Sequence, residues 1–281
     1  MSLLARRFVA GETKEEALAR VKTIHGQGLL ATLDFLGEHS KEPGVAATVT
    51  REYTELLELI HQDAEHPCTI SVKPTHIGLD LSDEEALQNF QRILEAARSR
   101  GNFVRVDMEG SLYTERTLKL FEQLRTLYKD HVGIVLQASL YRSVDDLTEI
   151  IMSGGRVRLC KGAYKEPPMV AFPSKEDVNQ NFDSLCEMLM KDGNYPAIAT
   201  HDEIRIRNAL AFARKYGRGI KNFELQMLLG IKNKLAIELA KSGYRVRLYM
   251  PYGKEWLGYF YRRVRERKEN LLFVLKNLFR T

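Results

Sequence analysis

Eight short apolar runs recur along the chain with stretches of helical period between them, and this spacing constrains the fold more than any other property. They occupy residues 29–35, 69–74, 103–108, 132–137, 156–161, 196–200, 222–227 and 245–250, and most close on a polar or ionisable residue. Strand and helix alternating over the whole length argue for parallel strands, because each parallel connection needs a crossover, usually helical. Eight units of near-equal length favour closure into a (β/α)8 barrel over an open doubly wound sheet. The 281 residues suit one such barrel, which takes about 250. A single domain over 1–281 follows, with a helical lead-in at 1–27 and an additional apolar helix at 268–281. In this fold the chemistry gathers at the carboxyl ends of the strands.

Helices are expected at about 13–25, 46–66, 82–100, 114–130, 143–153, 174–192, 202–216, 230–242 and 255–266. Thr13 with Glu16, and Ser82 with Glu85, have capping-box spacing; Thr114, Ser143 and Ser174 are further N-cap choices. The proline-containing stretch 165–175 reads as a crossing loop after the fifth strand. On the helix at 255–266, Leu257, Phe260, Tyr261 and Val264 share one apolar face, and Tyr259, Arg262, Arg263 and Glu266 share the opposite one. On an ordinary barrel helix that second face would turn to water.

Side chains alternate along a strand, and the outer face of a barrel strand must bury against helices. Ile70, Val72, Val104 and Val106 suit that outer face, which sends Ser71, Lys73, Arg105 and Asp107 inward. The same rule sends Val135 and Gln137, Arg158 and Cys160, Glu224 and Gln226, and Arg247 and Tyr249 inward. Charge buried without partners is costly, so these groups must pair with one another or with a ligand. Arg105, Glu224 and Arg247 fit either a site or structural ion pairs in the lower layers. Lys73, Asp107, Gln137 and Tyr249 lie at or near strand ends and point to function.

The net charge of +5 is mild and both signs are scattered, as on a solvated surface. A nucleic-acid surface would concentrate basic residues on one face, and the best cluster, RRVRERK at 262–268, is short. Cys68, Cys160 and Cys186 are few and widely spaced, which suggests neither a disulfide framework nor a zinc knuckle. No run approaches the ~20 apolar residues of a membrane span, and no signal peptide opens the chain. A soluble cytoplasmic protein is expected, with peripheral membrane contact left open. No metal cage is visible. GQGLLA at 26–31 matches a dinucleotide pattern, but it precedes a strand where the motif should follow one. His201, directly after the sixth strand, is a site candidate, with helix capping by Asp202 as the structural role nearby. Lys73 and Lys161 near strand ends also allow a Schiff-base lyase. A non-catalytic binding protein on a barrel scaffold is the third class.

SVKPTHIGL (71–79), VRVDMEGSLYT (104–114), VLQASLYR (135–142), VRLCKGAY (157–164), ATHD (199–202), FELQMLLG (223–230), VRLYMPYG (246–253) and YFYRRVRE (259–266) together resemble, in order, the blocks of the proline dehydrogenase family. The resemblance covers about residues 3–270 and implies a barrel enzyme that oxidises L-proline to Δ1-pyrroline-5-carboxylate, passing electrons from FAD to a membrane quinone. It implies that Lys73, Arg262 and Arg263 hold the substrate carboxylate, that Asp107 balances this cluster and orients its lysine, and that Tyr249 and Tyr259 shape the ring pocket. It places Arg158 beside the flavin, and Met108, Gln137, Lys161, Gly162, Ala163, Tyr164, Thr200, His201 and Gln226 around the cofactor. It also requires the helix at 255–266 to lie over the barrel mouth. Ser139 departs from the aromatic residue expected there.

Overall fold

In the computed structural model the chain is described over residues 5–265, the side chains of 262–265 excepted; the helix expected at 268–281 and Glu266 lie outside the described residues. Eight strands run in the expected places: β1 (Leu30–Phe35), β2 (Thr69–Val72), β3 (Val104–Val106), β4 (Val132–Gln137), β5 (Arg156–Cys160), β6 (Ala197–Ala199), β7 (Glu224–Leu228) and β8 (Val246–Tyr252). All neighbours pair parallel, and β8 pairs back onto β1, so the sheet closes in chain order. Helices alternate with them: α1 (Lys14–His25), α2 (Pro43–Gln62), α3 (Asp83–Ser99), α4 (Ser111–Tyr128), α5 (Ser143–Met152), α6 (Lys175–Asp192), α7 (Glu203–Lys215), α8 (Asn233–Lys241) and α9 (Trp256–Arg265).

The parity rule holds. Ile70, Val72, Val104 and Val106 are fully buried in one core with Phe90, Ile93 and Leu124 from α3 and α4. Each such side chain contributes about 1.5–3 kcal/mol when removed from water. The alternate residues meet inside: Asp34 lies opposite Ser71, Ser71 opposite Arg105, Val135 opposite Arg158, and Gln226 opposite Arg247.

Thr13, Ser82 and Ser174 cap α1, α3 and α6 as expected, each accepting from the backbone N–H three residues on. Thr114 and Ser143 do not act as caps. α4 starts earlier, at Ser111, because Glu166 from the 165–175 loop accepts from its backbone N–H at 2.8 Å. Ser143 is already helical, and its hydroxyl donates to the Gln137 carbonyl at 2.6 Å, tying α5 to the end of β4. The loop itself runs back along residues 139–141, with Phe172 N–H donating to the Ser139 carbonyl at 2.8 Å and Tyr141 N–H to that of Val170 at 3.1 Å.

α9 follows β8 closely and packs where the strands end. Tyr259 and Phe260 are buried with Leu36, just past β1, Ile231, just past β7, and Phe8 and Val9 of the first described segment. Trp256 and Leu228 pack against the same cluster. This corrects the expected face: Leu257 and Tyr261 are 52% and 62% exposed, and Tyr259 is buried. The apolar stripe at helical spacing is outcompeted by the neighbours that the mouth provides.

Candidate active site

β2 ends at Val72, and Lys73 extends from it before a short 3-10 helix (Pro74–Ile77) turns the chain away through Gly78 at φ 110°. That turn leaves the Lys73 ammonium inside the barrel, where it donates to Asp34 at 2.6 Å. Both side chains are buried. Burial opposes the lysine charge, but Asp34 and Asp107 outweigh it, and its pKa is raised. Burial likewise pushes Asp34 up against the pull of Lys73. The expectation that Asp107 orients the lysine is therefore corrected: Asp34 is the direct partner.

Asp107, one residue beyond β3, is shared by three donors. Ser71 Oγ donates to Oδ1 at 2.7 Å, Arg158 Nη1 to the same oxygen at 2.8 Å, and Tyr249 Oη to Oδ2 at 3.1 Å. The Arg158 guanidinium also lies 5.4 Å from the Tyr249 ring centroid, a cation–π contact. Burial, then Asp107 and Asp34, push the Tyr249 hydroxyl well above its ordinary pKa, so it stays a donor. Four strands thus bring Lys73, Asp107, Arg158 and Tyr249 together, with Asp34 from a fifth.

Beside this cluster, β4 to β7 present a second group. Gln137 donates through Nε2 to the Glu109 carbonyl at 2.9 Å, and Glu109 itself accepts from Thr75 N–H at 2.9 Å and Thr75 Oγ1 at 2.6 Å. Met108 is buried next to Asp107. Lys161 Nζ donates to Asn179 Oδ1 at 2.5 Å and Asp202 Oδ2 at 2.8 Å. Gly162 has φ 104°, and a Cβ there would collide with Ser139 Oγ, so the chain turns where only glycine fits. Thr200 is buried and its Oγ1 accepts from Asp202 N–H at 3.1 Å; His201 Nε2 accepts from Leu228 N–H at 2.9 Å. Asp202 caps α7 by accepting from Ile204 and Arg205. Ala163 and Tyr164 are exposed on the following loop, Tyr164 by 42%. Gln226 lies deeper: it donates to Glu224 and faces the opposite end of the barrel.

The lower layer is a separate unit. Arg247 grips Glu224 through Nε at 2.8 Å and Nη2 at 3.0 Å. Burial would raise the Glu224 pKa, but Arg247 outweighs it and holds the carboxyl at about 2. Arg105 is not part of that ion pair; its Nη1 donates to the Ile134 and Arg156 carbonyls at 3.1 and 2.7 Å.

Tyr259 is placed at the mouth by α9. Arg262 and Arg263 are on the same helix, but their side chains lie outside the described residues. Sequence reasoning missed Asp34 and Glu109. For Asp34 a signal existed, since inward parity with Thr32 puts it at the end of β1. Among the described residues no group of His, Cys, Asp and Glu could hold a metal ion. A Schiff-base lysine needs a lowered pKa, and Lys73 has the reverse.

A sequence model of the family described as proline dehydrogenase matches residues 17–276. The chain belongs to the proline dehydrogenase family. Over 276 residues it is 41% identical to proline dehydrogenase 1 of Bacillus subtilis (strain 168), covering 98% of this chain and 90% of that protein. It is 39% identical to the proline dehydrogenase of Deinococcus radiodurans over 282 residues, with the same two coverages, 98% and 90%. Among solved structures, proline utilization A from Bdellovibrio bacteriovorus, inactivated by N-propargylglycine, matches 93% of this chain and 32% of its own, at TM-score 0.86 and 25% identity. Membership makes this chain an oxidoreductase acting on proline and implies a flavin cofactor. The solved barrel and the one described above share their fold.

Proposed function

We propose that the mouth of the barrel binds L-proline and oxidises it to Δ1-pyrroline-5-carboxylate, with FAD as the cofactor and a membrane quinone as the final electron acceptor. The observation that carries this reading is the convergence of Lys73, Asp107, Arg158 and Tyr249 at the strand ends beneath α9. FAD, when bound, supplies a hydride acceptor and a route for the electrons onward.

The residues of the second group fit that cofactor. Gly162, at positive φ and packed against Ser139, gives the chain the turn that carries it away from the end of β5 beside Gln137. Arg158 is buried, and its Nε has no protein acceptor among the described residues. Met108, Gln137, Lys161, Ala163, Thr200 and His201 would hold the group with these two, and Tyr164 is a weaker member of the set; Gln226, expected beside the cofactor, turns toward the floor instead.

The substrate carboxylate needs cations. Lys73 is kept charged by Asp34, and Arg262 and Arg263 on α9 would complete a clamp, since planar guanidinium groups bind carboxylates through paired hydrogen bonds. Tyr249 and Tyr259 would wall the ring. Asp107 fixes Arg158 in place through a 2.8 Å bond, so its positive charge is already oriented where negative charge develops. The proline amine must be neutral before hydride leaves the adjacent carbon, so activity should rise with pH through that ionisation. Reaching a quinone would have a cytoplasmic protein touch the inner face of the cell membrane; among the described residues no helix is long and apolar enough to cross one.

Anaerobic addition of L-proline to the flavin-loaded chain should bleach its visible absorption. Arg262→Ala and Arg263→Ala should each raise the proline KM strongly and leave flavin bound. Absence of bleaching would overturn the reaction, and unchanged KM in both variants would overturn the clamp.

A further inference from the structure

The floor of the barrel, at the amino ends of the strands, carries charge that the mouth does not use. A cavity of about 420 Å³ lies there, where Arg105, Arg156, Arg158, Arg245, Arg247 and Lys221 face one carboxylate, Glu224. Arg247 is committed to Glu224 and Arg158 to Asp107. Among the described residues Arg105, Arg245 and Lys221 have no carboxylate in ion-pair reach, and Arg156 has only the exposed Asp130 at 3.9 Å.

Arg105 is the centre of this surplus. It is 4% exposed, and its Nε has no hydrogen-bond acceptor among the described residues; the Nε of Arg156 is in the same condition. Burial first, then the neighbouring Arg158, push its pKa well below the ordinary arginine value. The floor is shaped to keep it there. Its guanidinium crosses β4 at Gly133, where a Cβ would fall 2.5 Å from Nη1 and 2.8 Å from Phe103 Cζ. Aromatic rings brace the other guanidinium planes as well: Phe103 lies 4.7 Å from Arg105 and 5.6 Å from Arg156, and Tyr195 lies 5.7 Å from Arg245. A braced guanidinium loses little freedom on binding.

We propose that this floor cavity binds a small multivalent oxyanion of the phosphate class, separately from the catalytic mouth. Forked N–H donors match tetrahedral oxyanions, and buried positive charge is relieved when an anion shares it. Binding only the folded barrel, the anion would stabilise it by mass action without touching substrate.

The test uses the flavin-loaded full chain, with inorganic phosphate, glycerol 3-phosphate and chloride compared at equal ionic strength. A saturable rise in Tm is expected for phosphate or for the phosphate ester and not for chloride; the tighter of the two assigns the site to the free ion or to a phosphorylated metabolite. Calorimetric titration of the Arg156→Gln, Lys221→Gln double variant, and of Arg245→Gln, should show the half-saturating concentration raised at least tenfold. Lys119→Gln, on the surface of α4, should leave it unchanged, and proline kinetics should be the same in all. No response beyond chloride would overturn the proposal. So would a response undiminished in the floor variants or abolished by saturating proline, since the anion would then sit at the mouth.

Discussion

At the mouth of the barrel Lys73 and Arg158 meet Asp34 and Asp107, one carboxylate for each cation; at the floor a single carboxylate, Glu224, stands against five other cations, Arg105, Arg156, Arg245, Arg247 and Lys221. Both centre on a buried carboxylate bonded to an arginine, yet they are built differently. Glu224 is held by a two-pronged guanidinium contact, whereas Asp107 divides its oxygens among serine, arginine and tyrosine. The mouth is neutral within its own strands, so a carboxylate substrate must be drawn by charge delivered from elsewhere, which is the part given to α9. The floor keeps its pair for structure and has positive charge to spare.

The sharpest way to break this contrast is Glu224→Gln. It leaves the largely enclosed Arg247 without its counter-charge and should cost about 3–5 kcal/mol in urea unfolding, with kcat/KM per folded molecule preserved. A fall in kcat/KM instead would mean that floor and mouth act as one unit. The same carboxyl sets an acid limit. Its folded pKa of about 2 lies below the ordinary glutamate value of 4.5, so its stabilisation is full above 4.5 and lost as pH falls from there toward about 2. Acid unfolding of the wild type should steepen in that window, and Glu224→Gln should flatten it.

At the mouth, Asp34→Asn should lower kcat/KM by about 30-fold or more, equivalent to about 2 kcal/mol, because Lys73 loses the partner that fixes it. Its stability loss should be smaller than that of Glu224→Gln; the reverse order would assign Asp34 to the frame. Gly162→Ala forces a side chain into a positive-φ position against Ser139, a strain of about 1–3 kcal/mol, and should lower stability in urea unfolding by that amount and reduce flavin absorbance per mole of protein. The smallest effect is expected from Tyr249→Phe, which removes one of three donors to Asp107 and should cost about 0.5–1.5 kcal/mol, a two- to tenfold drop in kcat/KM.

The barrel was legible because alternation and parity are local properties. Counting every second residue puts Arg105, Asp107, Arg158, Glu224, Gln226, Arg247 and Tyr249 inside, and the structure keeps them there. Partner choice was not legible, because it depends on register between strands far apart in the chain. Asp34 reaches Lys73 because β1 and β2 align it opposite Ser71, and nothing in LLATLDF states that alignment. The start of α4 depends on Glu166, 55 residues beyond Ser111, and the buried face of α9 depends on Phe8 and Leu36. In each case a long-range contact overrode a correct local signal.

The first described residues hold more than their own place. Arg7 Nε donates to the Gly230 carbonyl at 3.1 Å, Ala10 N–H to Pro251 at 2.8 Å, and Phe8 lies 6.2 Å from Phe260 across the root of α9. This segment is therefore a wedge under the helix that bears Arg262 and Arg263. Laboratory evolution for altered proline handling should yield beneficial changes at positions 5–9, which carry no chemistry but set the tilt of the arm that does.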